Sequence, residues 1–161
     1  MGKGAALVAE LRERGLIEQV SNDEALAAAF DDGPVTLYCG FDPTATSLHL
    51  GNLIPVMLLA HVQRAGHRPI VLVGGATGMI GDPSGRDSER KLLSPSDVKR
   101  NCEAIAAQLA SYVSFEGENG ALMVDNSDWI NPITFVEWLR DVGKYFTINY
   151  MIAKESVRSR L

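Results

Sequence analysis

The sequence has little cysteine, no long apolar run and no excess of positive charge. Only two cysteines, Cys39 and Cys102, occur in 161 residues. They are too few for a disulfide framework or a cysteine-based metal site, so a reducing cytoplasm is the expected compartment. Polar residues interrupt the most apolar stretch, residues 50–65, which therefore falls short of the ~20 residues of a membrane span. Charged residues near the amino terminus argue against a signal peptide. The net charge of −5 argues against a chain that binds nucleic acid over its whole surface, although a local basic patch is compatible with it.

The composition is that of an ordinary globular protein. Hydrophobic residues make up 46% and charged residues 22% of the chain, which excludes disordered and low-complexity classes. The length fits one domain with a core large enough to fold alone. Fifteen glycines against seven prolines indicate tight turns and close backbone approaches rather than a helical bundle.

Short apolar strands alternate with helices along the chain. Such alternation predicts an α/β fold built on a doubly wound parallel sheet with right-handed crossovers, and residues 68–73 have the pattern of a continuously buried strand. Ligands of such sheets bind beyond the carboxyl ends of the strands. The predicted strands are residues 35–39, 68–73 and 121–124, and the predicted helices are residues 4–14, 21–33, 50–65, 94–113, 131–143 and 150–160. Ser21 and Glu24 have the spacing of a capping box at the start of the second helix.

The segment 38–52 joins the end of the first predicted strand to the start of a helix. A helix start presents free N–H groups and a partial positive charge, which suit a phosphate. Thr44 and His49 can add donors, and Gly51 lets a ligand approach the backbone. The alternative is an ordinary loop with Ser47 as the helix cap.

A second candidate is the glycine-rich segment 74–85, which has five glycines in twelve residues. It carries Asp82 and is followed by Arg86, Arg90 and Lys91, cations that can hold a pyrophosphate. The alternative is a solvated charged loop. The segment matches neither the P-loop nor the dinucleotide fingerprint. No cluster has metal-ligand spacing, so no protein-bound metal is predicted.

Three runs of the sequence resemble one family closely. They are YCGFDPTATSLHLGN (38–52), RAGHRPIVLVGGATGMIGDPSGRDSER (64–90) and DVGKYFTINYMIAKESVRSRL (141–161). The chain resembles the catalytic domain of bacterial tyrosyl-tRNA synthetases, which are class I aminoacyl-tRNA synthetases, from about Leu7 to Leu161. The resemblance implies an N-terminal helical segment, residues 1–33, followed by the first half of a Rossmann-type catalytic domain, residues 34–161. It also implies a tyrosine-tRNA ligase that activates L-tyrosine with ATP and Mg²⁺, transfers it to tRNA(Tyr), and acts as a cytoplasmic homodimer through part of residues 130–160, without a membrane.

The resemblance also implies roles for individual residues. Tyr38 matches the residue that meets the substrate phenol, Asp82 matches the carboxylate that holds the substrate ammonium, and Asn126 lies near that pocket. Residues 43–52 match the HIGH-type signature, whose positions include Pro43, Thr44, His49, Leu50, Gly51 and Asn52. The implied catalytic residues are Thr44, His49, Arg86 and Arg90. The implied ATP or adenylate contacts are Cys39, Gly40, Asp42, Thr44, His49, Gly51 and Asn52.

The sequence departs from the family pattern in three respects. Asn52 stands where the signature usually has a second histidine, and Arg86 stands where lysine is common. The chain stops at Leu161, before the family's KMSKS loop, the rest of its tyrosine pocket and its C-terminal tRNA-binding region. We therefore expect the 161-residue chain alone to be a very weak enzyme or inactive. Two alternatives are another nucleotidyl transferase with an HxGH-type signature and a catalytically silent synthetase-like binding module.

Overall fold

The computed structural model describes residues 2–80 and 93–158. Its three strands are β1 (Thr36–Phe41), β2 (Arg68–Val73) and β3 (Leu122–Asp125). The helices before β3 are α1 (Lys3–Glu13), α2 (Asp23–Asp32), α3 (Leu53–Arg64) and α4 (Pro95–Leu109). Those after it are α5 (Ser127–Ile130), α6 (Phe135–Asp141), α7 (Ile148–Ile152) and α8 (Glu155–Arg158). Short 3-10 helices occur at Leu50–Asn52, Thr77–Met79 and Gly143–Tyr145.

The three strands form one parallel sheet in the order β1-β2-β3. Cys39 pairs with Val71, and Val73 pairs with Asp125. Parallel neighbours need a crossover connection, and here α3 joins β1 to β2 while α4 lies between β2 and β3. The predicted α/β class with a parallel sheet is confirmed.

Helices α3 and α4 pack against the same face of the sheet. Val71 and Val73 of β2 are buried there together with Leu59 of α3 and Ile105 of α4. On the other face, Ile70 and Leu72 are only half-buried. The prediction of a continuously buried β2 was therefore wrong in detail, because the helices of the described residues cover only one of its faces.

The two N-terminal helices form a second, smaller core with α3 and the start of β1. Leu11 of α1 and Phe30 of α2 are buried there against Val62 of α3. A hydrogen bond from the Gly4 N–H to Asp31 Oδ1, 2.8 Å, joins α1 to α2. The predicted N-terminal helical segment is thus packed directly on the crossover helix.

Several helix ends differ from the sequence prediction because a neighbouring residue makes the better cap. Asn22, not Ser21, caps α2, since its Oδ1 accepts the Ala25 N–H at 2.9 Å. The helix predicted from residue 131 begins at Phe135, where Thr134 and Glu137 form a capping box. The helix predicted to about residue 113 ends at Leu109, and the one predicted over 150–160 is divided into α7 and α8. In the described residues, no helix is both long enough and apolar enough to span a membrane.

Candidate functional site

The carboxyl ends of the three strands meet at one edge of the sheet, as parallel pairing requires. Gly74, which follows β2, donates its N–H to Phe41 O of β1 at 3.1 Å. Asn126, which follows β3, donates its N–H to Val73 O at 3.0 Å. The segments that follow the three strands therefore lie side by side at the edge where ligands of such sheets bind.

The start of the glycine-rich segment is held by the residues that end β3. The Gly75 N–H donates to Asp125 Oδ1 at 3.0 Å, and the Ala76 N–H donates to Asn126 Oδ1 at 2.8 Å. Asn126 Nδ2 in turn donates to Thr77 Oγ1 at 3.0 Å. A Cβ atom at Gly75 would collide with the Asp125 carboxylate, so this close approach requires glycine. Asn126, only 7% exposed, supports the loop with its whole amide rather than presenting it to solvent.

We use the name signature loop for residues 42–52, which follow β1. The loop is tied to α4 at two points. Asn101 Nδ2 donates to Pro43 O at 3.0 Å, and the Leu48 N–H donates to Gln108 Oε1 at 2.8 Å. Between these points Thr44 is exposed, and so is His49 directly after Leu48. Both predicted phosphate donors are therefore accessible to a ligand.

The signature loop ends in the 3-10 helix that leads into α3. The His49 N–H donates to Asn52 Oδ1 at 3.2 Å, and the Asn52 N–H donates to His49 O at 2.9 Å. The cap of this turn is thus His49, and the alternative with Ser47 as the cap is wrong. Asn52, at the position of the usual second histidine, uses its side chain to close the turn. A Cβ at Gly51 would lie 3.0 Å from His49 Cε1, so glycine leaves room for the imidazole.

Successive residues of β1 face opposite sides of the sheet. Tyr38 is 72% exposed on the face that the described helices leave open. Cys39 lies on the other face, where it packs against the main core and where burial raises the pKa of its thiol. Gly40 is exposed on the same side as Tyr38, and its missing side chain leaves the sheet accessible there. The predicted adenylate contacts of β1 are therefore divided between two faces.

A cleft of about 390 Å³ borders the signature loop on its α4 side. It lies between the start of α3 and the end of α4, so His49 faces it from one side and Tyr112 from the other. The lining residues are Leu48, His49, Leu50, Leu53, Val56, Gln108, Ser111 and Tyr112.

Asp82, Arg86 and Arg90, three of the predicted site residues, lie outside the described residues, as does Lys91. Their roles toward the substrate ammonium and pyrophosphate stay predictions. Within residues 2–80 and 93–158, no three His, Cys, Asp or Glu side chains converge as metal ligands would.

Sequence reasoning missed four residues that shape the site: Thr77, Asn101, Gln108 and Asp125. Asn101 carried a signal, since it is a polar residue on the apolar stripe formed by Val98, Cys102 and Ile105. Asp125 also carried one, because a carboxylate at the carboxyl end of an apolar strand lies at the edge where ligands of such sheets bind. The contact of Gln108 with Leu48 joins residues 60 positions apart, so no local spacing pattern in the sequence could predict it.

A comparison with protein families gives a direct match. A model for "tRNA synthetases class I (W and Y)" matches residues 31–161. The chain belongs to this family. Three curated class I relatives are named tyrosine–tRNA ligase. The one of Streptococcus mutans is 54% identical over 153 residues, covering 94% of this chain and 37% of the relative. That of Opitutus terrae is 56% identical over 153 residues, covering 94% of this chain and 36% of the relative. That of Rhodopirellula baltica is 51% identical over 156 residues, covering 97% of this chain and 36% of the relative.

Solved structures of class I synthetases agree with the fold. A C-terminally truncated mitochondrial tyrosyl-tRNA synthetase of Aspergillus nidulans superposes with a TM-score of 0.81 at 32% identity, covering 96% of this chain and 46% of that chain. A tryptophanyl-tRNA synthetase of Plasmodium falciparum gives a TM-score of 0.65 at 14% identity, which supports the fold alone. The resemblance to tyrosyl-tRNA synthetases is confirmed. The chain spans about 37% of the length of the curated relatives it matches.

Proposed function

We propose that this chain supplies the ATP-binding edge and part of the tyrosine pocket of a tyrosine–tRNA ligase. The enzyme activates L-tyrosine with ATP and then transfers the tyrosyl group to tRNA(Tyr). One observation supports this most. A single segment carries an exposed tyrosine, Tyr38, on the open face of the sheet and an exposed histidine, His49, at the start of the 3-10 helix that leads into α3. The segment thus offers a partner for a phenol and a donor for phosphate beside one ligand edge.

The activation step requires no nucleophile from the protein. A carboxylate oxygen of tyrosine forms a bond to the α-phosphorus of ATP, the bond from that phosphorus to the bridging oxygen breaks, and pyrophosphate leaves with the electron pair. The protein aligns the reactants and stabilises charge that grows on the phosphate oxygens. His49 and Thr44 are proposed to donate hydrogen bonds to those oxygens, and the start of the helix after the signature loop would add its partial positive charge. Arg86 and Arg90 are proposed to meet the departing pyrophosphate.

Tyrosine is proposed to lie over the open face, with its phenol at Tyr38 and its ammonium at Asp82. Asn126 is proposed to support this pocket, since its amide binds the Ala76 N–H and the Thr77 hydroxyl at the described start of the segment that carries Asp82. The adenylate is proposed to run along Cys39, Gly40, Asp42, Gly51 and Asn52. Mg²⁺ would enter with ATP, bound mainly by phosphate oxygens, and would supply positive charge against the growing negative charge. The donors of Thr44 and His49 suit the remaining phosphate oxygens.

We also propose that the active protein is a homodimer. Two tryptophans and neighbouring apolar side chains in the region of α5 to α7 are exposed. They are too many and too close in sequence to be scattered single surface residues, and such a patch is typical of an interface. This region overlaps residues 130–160, through which the family resemblance implies the dimer. The exposed side chains are Trp129, Ile130, Ile133, Phe135, Val136, Trp138, Leu139, Val142, Tyr145, Phe146, Ile148, Tyr150, Met151 and Ile152. A cytoplasmic location would keep Cys39 and Cys102, neither of which is in a disulfide, as thiols.

The test is ATP–pyrophosphate exchange by the complete protein that carries this chain, with tyrosine, phenylalanine or tryptophan as the amino acid. We expect exchange with tyrosine only. Preference for tryptophan would overturn the assigned substrate, and no exchange with any amino acid would overturn the activation chemistry. The same assay on the 161-residue chain and on a chimera that adds the remainder of the Streptococcus mutans relative measures what this part contributes. We expect the chimera to be far faster, because the relatives place well over half of their length outside the matched region.

A further inference from the structure

Two amide side chains of α4 hold the signature loop near its two ends. Asn101 donates to Pro43 O, and Gln108 accepts the Leu48 N–H. These two residues are seven apart, or about two helical turns, so both lie on the same side of α4. One helix therefore binds the loop at two points, through contacts between residues 58 and 60 positions apart in sequence.

Each anchored residue directly precedes one of the proposed phosphate donors. Thr44 follows Pro43, and His49 follows Leu48. Residues 44–47 are exposed, so apolar burial contributes little to holding this part of the loop. Without the anchors, the loop would sample more conformations, and the donors would have to be ordered when ATP binds.

We infer that Asn101 and Gln108 are positioning residues that preorganise Thr44 and His49 for the phosphates of ATP. The inference rests on the proposed function. Preorganised donors contribute most where charge develops in the transition state. We therefore expect the contacts of α4 to affect the binding and reaction of the ATP phosphates. Tyr38 lies on the face of the sheet opposite α4, so we expect binding of the amino acid to be independent of these anchors.

Gln108 is the residue to change, because it is exposed and its replacement leaves the core intact, whereas Asn101 is only 4% exposed. Gln108→Met keeps the length of the side chain and removes the acceptor. In the complete protein, we expect kcat/KM for ATP in tyrosine-dependent exchange to fall about threefold to tenfold, the range of one neutral hydrogen bond. KM for tyrosine should not change. Gln108→Glu keeps an acceptor for the Leu48 N–H and should restore the rate, measured at high salt to screen its charge from ATP.

Gln63→Met is the matched control. Gln63 is also a glutamine that binds loop backbone, since it donates to Ser114 O at 2.7 Å and accepts the Ser114 N–H at 2.9 Å. These contacts lie at the opposite end of the sheet from the signature loop. We expect Gln63→Met to lower the melting temperature without changing the kinetics toward ATP.

The outcomes separate the two proposals. Unchanged ATP kinetics in Gln108→Met, failure of Gln108→Glu to restore them, or an equal effect on KM for tyrosine would overturn the positioning role while leaving the proposed function intact. Absence of tyrosine-dependent exchange in the unmodified protein would overturn the proposed function, and the positioning role with it. A selective loss toward ATP that glutamate restores would establish the role.

Discussion

Replacing Asn126 with alanine tests the support of the glycine-rich segment. Asn126 Oδ1 is the acceptor for the Ala76 N–H, and Ala76 is 6% exposed. The substitution leaves that buried N–H without its partner, which costs about 1–3 kcal/mol. Thr77 Oγ1 also loses a donor, but Thr77 is half-buried and its hydroxyl can turn to water. We therefore expect the free energy of unfolding to fall by about 2 kcal/mol, which corresponds to roughly 4–8 °C in melting temperature for a chain of this length.

Urea unfolding of the 161-residue chain at micromolar concentration, followed by circular dichroism, measures this change. Thr77→Val is the matched control, because it removes the acceptor of Asn126 Nδ2 and leaves the Ala76 N–H paired. It should cost less than about 1 kcal/mol. If Asn126→Ala remained within about 0.5 kcal/mol of the unmodified chain, as a neutral surface substitution does, the argument for a buried and irreplaceable acceptor would be refuted.

Three further predictions concern Tyr38, His49 and His67. Tyr38→Phe should reduce the preference of the complete protein for tyrosine over phenylalanine, because it removes the hydroxyl that we propose as the partner of the substrate phenol. Unchanged selectivity in pyrophosphate exchange would contradict the pocket assignment. His49→Ala should slow adenylate formation about 10²–10³-fold with little change in tyrosine binding, the loss typical of one preorganised donor, and rapid-quench kinetics with equilibrium tyrosine titration would show whether it does. Burial lowers the pKa of His67, whose Nδ1 accepts the Val35 N–H at 3.2 Å, so its neutral form is favoured in the folded chain. Stability from this group is full above the unfolded-state pKa of about 6.5 and is lost as the pH falls from there toward the lowered folded-state pKa. Urea unfolding from pH 8 to pH 5 should show this slope and His67→Gln should lack it, whereas equal slopes would exclude the assignment.

The local pattern of the sequence was sufficient to predict the order of strands and helices, and the edge of the sheet at which the strands end. Residues 68–73 form β2 as predicted, and the segments that follow the strands lie together because parallel strands end at one edge. The helix caps were less predictable, since adjacent residues compete for the same backbone N–H groups. Asn22 caps its helix instead of Ser21, because its Oδ1 accepts the Ala25 N–H. His49 caps its turn instead of Ser47, because its carbonyl oxygen accepts the Asn52 N–H.

The contacts that organise the site could not be predicted from spacing. The bonds of Asn101 to Pro43 and of Gln108 to Leu48 depend on how α4 lies across the sheet, which is a property of tertiary packing. The burial of β2 on one face depends on the same packing. The sequence resemblance implied which residues would face a ligand, but not which residues hold them in place.

The one-sided core of the sheet has a consequence for how such a protein can evolve. Tyr38, Ile70 and Leu122 lie in one row across the open face, because the strand register aligns them. The buried contacts of the sheet are concentrated on the opposite face, with Val71 and Val73. With tyrosine placed over this face as proposed, substitutions in the open row would change the surroundings of the bound side chain and leave the buried contacts of the core in place. A scaffold of this kind can exchange one substrate side chain for another through few mutations, without first acquiring compensating changes in its core.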